Sequence, residues 1–133
     1  MSRPKDYQQL IVYRKVTSLA RESYAATNCF PREEAFGLKL QIRQTAVSVP
    51  ANIAEGHGRL SDLQFRHVLG DARGSLSELQ TQVELARDLG FVEADQSDEL
   101  LEHANEVVRL LNGLIAVMPV KHHSPASTAT RYP

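Results

Sequence analysis

A chain of 133 residues, 42% hydrophobic and 23% charged, has enough material for one domain with a packed core and is not polar enough to stay disordered. Its net charge of −1 excludes strong overall attraction to polyanions, but it hides a gradient: residues 1–73 hold 11 Lys and Arg against 7 Asp and Glu, and residues 74–118 hold 2 against 9. No apolar run approaches the about 18 residues of a membrane span, MSRPKDYQQL lacks the apolar segment of a secretory signal, and the single Cys29 cannot close an internal disulfide, so a cytoplasmic protein is expected.

Apolar spacing predicts four helices. The first runs from about Asp6 to Thr27, with Leu10, Tyr13, Val16, Thr17, Ala20 and Tyr24 as its expected inner face, and Asn28 and Pro31 end it. Cys29, beside Phe30, reads as a small buried hydrophobe. Pro31 suits the first position of helix two, where its missing N–H costs nothing, and Glu33 and Glu34 suit the positive end of that helix.

Helix two is expected to continue through Pro50 until Gly56 and Gly58, because Leu38, Ile42, Thr45, Val49, Asn52, Ile53 and Gly56 keep one helical face. An interior proline removes a backbone hydrogen bond and costs about 3 kcal/mol, so a kinked helix held by its neighbours is predicted. The competing reading is a helix-turn-helix DNA-binding regulator, with a turn at Ala46, Val47 and Ser48, a second helix starting at Pro50, and Asn52 facing the major groove. Against it, the turn contains no glycine and the apolar period has no phase jump.

Ser61 and Gln64 form the sequence pattern of a capping box opening helix three. Its stripe is Phe65, Val68, Leu69, Ala72, Leu76, Leu79, Val83 and Ala86, and it closes at Leu89 before Gly90. Asp95 or Ser97 is the expected cap of helix four, whose face is Leu100, Leu101, Ala104, Val107, Val108, Leu111, Leu114, Ile115 and Met118, ended by Pro119. The expected architecture is all-α: an antiparallel up-down-up-down four-helix bundle over residues 1–118 with a Pro-kinked second helix, followed by a mobile tail at 119–133.

Two polar rows stand out. Gln41, Ser48, Asn52 and Glu55 line one margin of helix two and are candidates for an oligomer interface. Arg59, Arg66 and Arg73 recur every seven residues along one flank of helix three, preceded by Arg43 on helix two. These four are candidate nucleic-acid contacts, since a guanidinium row can track a phosphate backbone. The competing reading pairs them with Glu78, Glu84 or carboxylates of helix four; no aromatic residues interleave with them to stack on bases.

Chemistry has little foothold. The Glu-x-x-His signature of di-iron bundles is missing, and Glu99, Glu102, His103 and Glu106 fall beside or opposite the apolar face of helix four. Gly56-His57-Gly58 lacks the lysine and the preceding strand of a phosphate loop. Ser48 and Ser75 lack an exposing elbow. No catalytic residue, metal or cofactor is expected.

From Phe30-Pro31-Arg32-Glu33-Glu34 through Gly37-Leu38, Gln41-Ile42-Arg43, Ala46-Val47-Ser48-Val49-Pro50 and Asn52-Ile53-Ala54-Glu55-Gly56, then Gly74-Ser75-Leu76, Glu78-Leu79 and Thr81-Gln82, the chain resembles a bacterial family. Its members are four-helix-bundle proteins related to those encoded in intervening sequences of large-subunit ribosomal RNA genes. The resemblance covers about Tyr7 to Met118. It implies a homopentamer without catalytic residues. A related group serves diversity-generating retroelements and binds nucleic acid and reverse transcriptase through a basic pentamer, from which this near-neutral chain departs. The expected partners are therefore further copies of the chain, RNA or DNA, or a nucleic-acid-associated protein, and no membrane.

Overall fold

The computed structural model describes residues 4–57 and 61–118, with side chains from Gln8 onward. Among these, four helices form: α1 (Pro4–Thr27), α2 (Leu38–Gly56), α3 (Asp62–Asp88) and α4 (Ala94–Val117), with a short 3-10 turn at Arg32–Glu34. No helix among the described residues is long and apolar enough to cross a membrane. The tail expected at 119–133 lies outside the described residues.

Each helix packs on two neighbours, α1 on α2 and α4, and α3 on α2 and α4, which closes a four-helix bundle. Cross-helix contacts pair rising numbers on one helix with falling numbers on the next. Gln9 meets His57 and Thr27 meets Arg43 between α1 and α2. Arg73 meets Asn112 and Arg87 meets Asp98 between α3 and α4. The core is one apolar cluster containing Val12, Val16, Ile42, Val49, Leu69, Leu76, Leu79, Leu111 and Leu114, all nearly or fully sealed from solvent.

The inner face of α1 differs from the expected one. Leu10, Tyr13 and Tyr24 are exposed, and the core side carries Val12, Val16, Leu19, Ala20, Ser23, Ala26 and Thr27. Ser23 and Thr27 are tolerated there because each hydroxyl donates to a backbone carbonyl of the preceding turn, Leu19 O and Ser23 O, both at 2.9 Å.

Helix α2 begins later than Pro31. Pro31 instead precedes the 3-10 turn, and Gly37 occupies the N-cap position of α2. The reason is local: the Glu34 carboxylate folds back to accept the Leu38 N–H at 2.8 Å. A β-carbon on residue 37 would stand 2.8 Å from that same oxygen, so glycine leaves the cap its room. From Leu38 the helix runs to Gly56 with Pro50 inside it. The turn at Ala46 to Ser48 that a helix-turn-helix would need is not formed. Leu38, Ile42, Ala46, Val49, Ile53 and Gly56 are buried, whereas Asn52 is exposed and Thr45 half-buried.

Helix α3 opens with the complete capping box, both Ser61–Gln64 bonds present. It closes at Gly90, with φ of 81°; Phe91 N–H reaches Ala86 O at 2.9 Å and Gly90 N–H reaches Arg87 O at 3.0 Å, the paired bonds of a Schellman ending. Helix α4 is preceded by Glu93 as its N-cap, with no side-chain cap bond. Neither Asp95 nor Ser97 caps it: Ser97 is fully buried and its hydroxyl donates to Ala94 O at 2.9 Å. Cys29 is exposed rather than buried, because the chain has already left α1 and the aromatic slot beside α4 is filled by Phe30, which packs on Phe91 with ring centroids 5.6 Å apart.

Candidate functional site

The arginine row follows the α3/α4 seam. Arg73 Nη1 donates to Asn112 Oδ1 at 2.7 Å, Gln80 Nε2 to Asn105 Oδ1 at 2.5 Å, and Arg87 Nη1 to Asp98 Oδ1 at 3.2 Å. Both sides therefore advance by seven residues, nearly two turns, and each rung joins α3 to α4. The partners expected for these arginines are carboxylates. One of the three rungs ends on a carboxylate, and the other two end on asparagine amides.

Arg66 is the next rung toward the start of α3. By this spacing its counterpart is position 119, outside the described residues. Arg66 makes no hydrogen bond or ion pair among the described residues, and its Nε is buried without a partner there. Burying a guanidinium N–H unsatisfied is costly, so this side chain has an unmet demand for an acceptor. Arg59 lies outside the described residues.

Arg43 stands apart from that row. Its Nε donates to Thr27 Oγ1 at 2.8 Å, its Nη2 donates to Tyr24 O at 3.1 Å and Asn28 Oδ1 at 3.0 Å, and its guanidinium carbon lies 4.4 Å from the centre of the Tyr24 ring. A cation at the end of α1 complements the helix dipole and satisfies one of the last carbonyls. The sequence offers no signal for this role, since the bonds span 15 to 19 residues and need the fold to form.

The polar margin of α2 is open to solvent at Gln41, Asn52 and Glu55, and half-buried at Ser48, whose hydroxyl donates to Thr45 O at 2.8 Å. The flank of α2 nearer α1 carries exposed Leu40 and Val47, with Phe36, 90% exposed, just before the helix. Leu10, Tyr13 and Tyr24 of α1 are exposed as well, although hydrophobicity alone assigns them to the core.

On the α1/α4 seam, His103 Nδ1 bonds Glu22 Oε1, Ser18 Oγ donates to Glu22 Oε2 at 3.3 Å, and Lys15 pairs with Glu106 at 3.4 Å. The bond to Glu22 is the main cause that raises the His103 pKa above the usual 6.5; partial burial opposes it, and the charges of Glu22, Glu99 and Glu106 add to the rise. Among the described residues no group of three or more His, Cys, Asp or Glu side chains is arranged to hold a metal ion. A cavity lined by Ala26, Phe30, Ile42, Val83, Val92 and Leu100 is apolar and about the size of one water.

The sequence model of the 23S rRNA-intervening sequence protein family matches residues 8–113. A solved structure with the same fold is a protein of unknown function from the S23 ribosomal protein family of Bacteroides thetaiotaomicron VPI-5482. It is 22% identical, with a TM-score of 0.73 over 86% of this chain and 99% of that one. No curated protein sequence matches the chain. The bundle of four helices and a family match that reaches into all of them lead to one assignment: the chain belongs to the 23S rRNA-intervening sequence protein family.

Proposed function

We propose that this protein is a non-enzymatic, cytoplasmic homo-oligomer, a pentamer by its family resemblance, that presents repeated copies of a weak site to nucleic acid or to a nucleic-acid-associated protein. The observation that carries the reading is Arg66, half-buried on the flank of α3, whose guanidinium Nε has no hydrogen-bond partner among the described residues. Arg73 follows it by seven residues on α3, so a phosphate at Arg66 would have a cationic neighbour. Arg43, already engaged by α1, would contribute charge more than direct contact. The names of the family and of its structural relative, which refer to ribosomal RNA and a ribosomal protein, favour RNA as the first ligand to test.

A near-neutral subunit binds a polyanion weakly alone, but several sites on one assembly act at high effective concentration. Replacing Arg59, Arg66 and Arg73 together by Ser should weaken RNA binding in a fluorescence-anisotropy titration. It should also lower the slope of log K against log salt, by about 0.7 for each single-strand phosphate that is no longer neutralised. An unchanged slope would remove the nucleic-acid reading.

A further inference from the structure

We infer that the half of the α3/α4 seam around Arg66 and Arg73 is a close-contact track for an RNA strand, with Arg109 of α4 as its third phosphate-binding cation and with glycines that let the strand's backbone lie against the helices. This rests on the nucleic-acid reading above and names the groups that would make the site. Arg109 is exposed and forms no hydrogen bond or ion pair among the described residues. It lies three residues before Asn112, the partner of Arg73, hence on the flank of α4 that faces α3. Arg66 has no partner among the described residues and Arg73 bonds an uncharged amide, so all three guanidinium charges stay uncompensated there.

The carboxylates nearest along the two helices are turned away or engaged. Glu106, three residues before Arg109, pairs with Lys15 on the α1/α4 seam at 3.4 Å. Asp71 precedes Arg73 by two positions, about 200° around α3, and Asp62, one turn before Arg66, already has an interaction of its own. At the far end of the seam Arg87 is neutralised by Asp98. Along the bundle axis Arg66 and Arg73 are about 10 Å apart, and Arg109 lies about 4.5 Å beyond Arg73. Phosphates of one strand follow at about 3.4 Å along a duplex axis, so a track of this length faces several of them.

The glycines supply a second, independent observation. Gly37 and Gly90 have local reasons, a crowded cap and a positive φ. Gly70, Gly74 and Gly113 have none: each sits inside a helix, and a β-carbon added there would meet nothing within 4 Å. Glycine is unfavourable inside a helix unless something must approach the backbone closely. Gly70 lies between Arg66 and Arg73 on their side of α3, Gly74 follows one turn on, and Gly113 follows Arg109 by one turn. The residues that weaken these helices therefore border the three unpaired cations, where a polyanion's backbone would gain most from coming close.

Titrating a labelled single-stranded RNA with the full chain over a salt series, read by fluorescence anisotropy, tests it. Arg109→Ser should lower the slope of log K against log salt by about 0.7, whereas Arg32→Ser, the same charge change at the other end of the bundle, should leave the slope unchanged. Gly70→Ala with Gly74→Ala should raise the thermal midpoint, because the added methyl groups meet open space. Gly70→Leu with Gly74→Leu should weaken RNA binding by about tenfold with helical circular dichroism kept. Should the leucines cost helicity, the alanine pair should still bind RNA measurably more weakly than the parent. An unchanged slope for Arg109→Ser, an equal loss for Arg32→Ser, or a leucine pair that binds like the parent overturns the track. So does a leucine pair whose lost binding comes with a changed sedimentation coefficient, which would place another copy of the chain over the glycines. A parent chain that binds no RNA overturns the nucleic-acid reading beneath it.

Discussion

Arg43 shows how one side chain can look like a ligand-binding cation and serve as a clamp. Its fork reaches a hydroxyl, a carbonyl and an amide at the end of α1 while its plane covers Tyr24. A lysine keeps the charge but loses both the fork and the stacking. Arg43→Lys should therefore destabilise the fold by about 1–2 kcal/mol in urea denaturation, with RNA affinity changed less than by the three serine substitutions along the α3 row. Single residues are the least legible part of the sequence. Ser23, Thr27 and Ser97 are buried because their hydroxyls return to the backbone one turn earlier, and Tyr13 and Tyr24 are exposed although they look like core. Hydrophobicity sorts side chains by transfer energy, whereas the three hydroxyls are placed by hydrogen bonds and Tyr24 meets the guanidinium of Arg43.

Elements are more legible, because they rest on periods instead of single contacts. The stripes of α3 and α4 are buried nearly as their spacing predicts, and the Ser61–Gln64 box is complete. The start of α2 escapes a sequence reading because a glutamate three residues before a glycine caps the helix from outside, a pattern that proline and the helix dipole do not reveal. The α1/α4 seam carries a pH dependence. His103 is bonded to Glu22, and its pKa lies above the usual 6.5. The raised value means the bond contributes fully below the unfolded histidine's pKa and is lost as pH rises through the folded one. Thermal midpoints should therefore decline from about pH 6 upward over this titration, and His103→Gln should flatten that decline. An equal decline in the variant would assign it to other groups. For Pro50, replacement by Ala restores a backbone donor to α2. It should leave the helical content intact while changing the helix's curvature and, through it, the number of subunits; light scattering that reports the same assembly would speak against this.

For the whole molecule, sequence pattern and family resemblance lead to the same four-helix bundle, and the packing of α1 on α2 and α4 and of α3 on α2 and α4 closes it. What the sequence leaves open is where the polar rows go. Seven-residue spacing places Arg66, Arg73, Gln80 and Arg87 on one flank, but only the structure shows that the last three bond across to α4 while Arg66 bonds none of the described residues. Under the proposed function, several copies of a near-neutral subunit would together supply the affinity that one lacks. Sedimentation of the purified protein before and after nuclease treatment is the decisive check. A discrete multiple of 14.8 kDa should survive nuclease, and an additional, nucleic-acid-containing species should not. A single 14.8 kDa species in both samples, with no copurifying nucleic acid, would be incompatible with an assembled, nucleic-acid-binding protein.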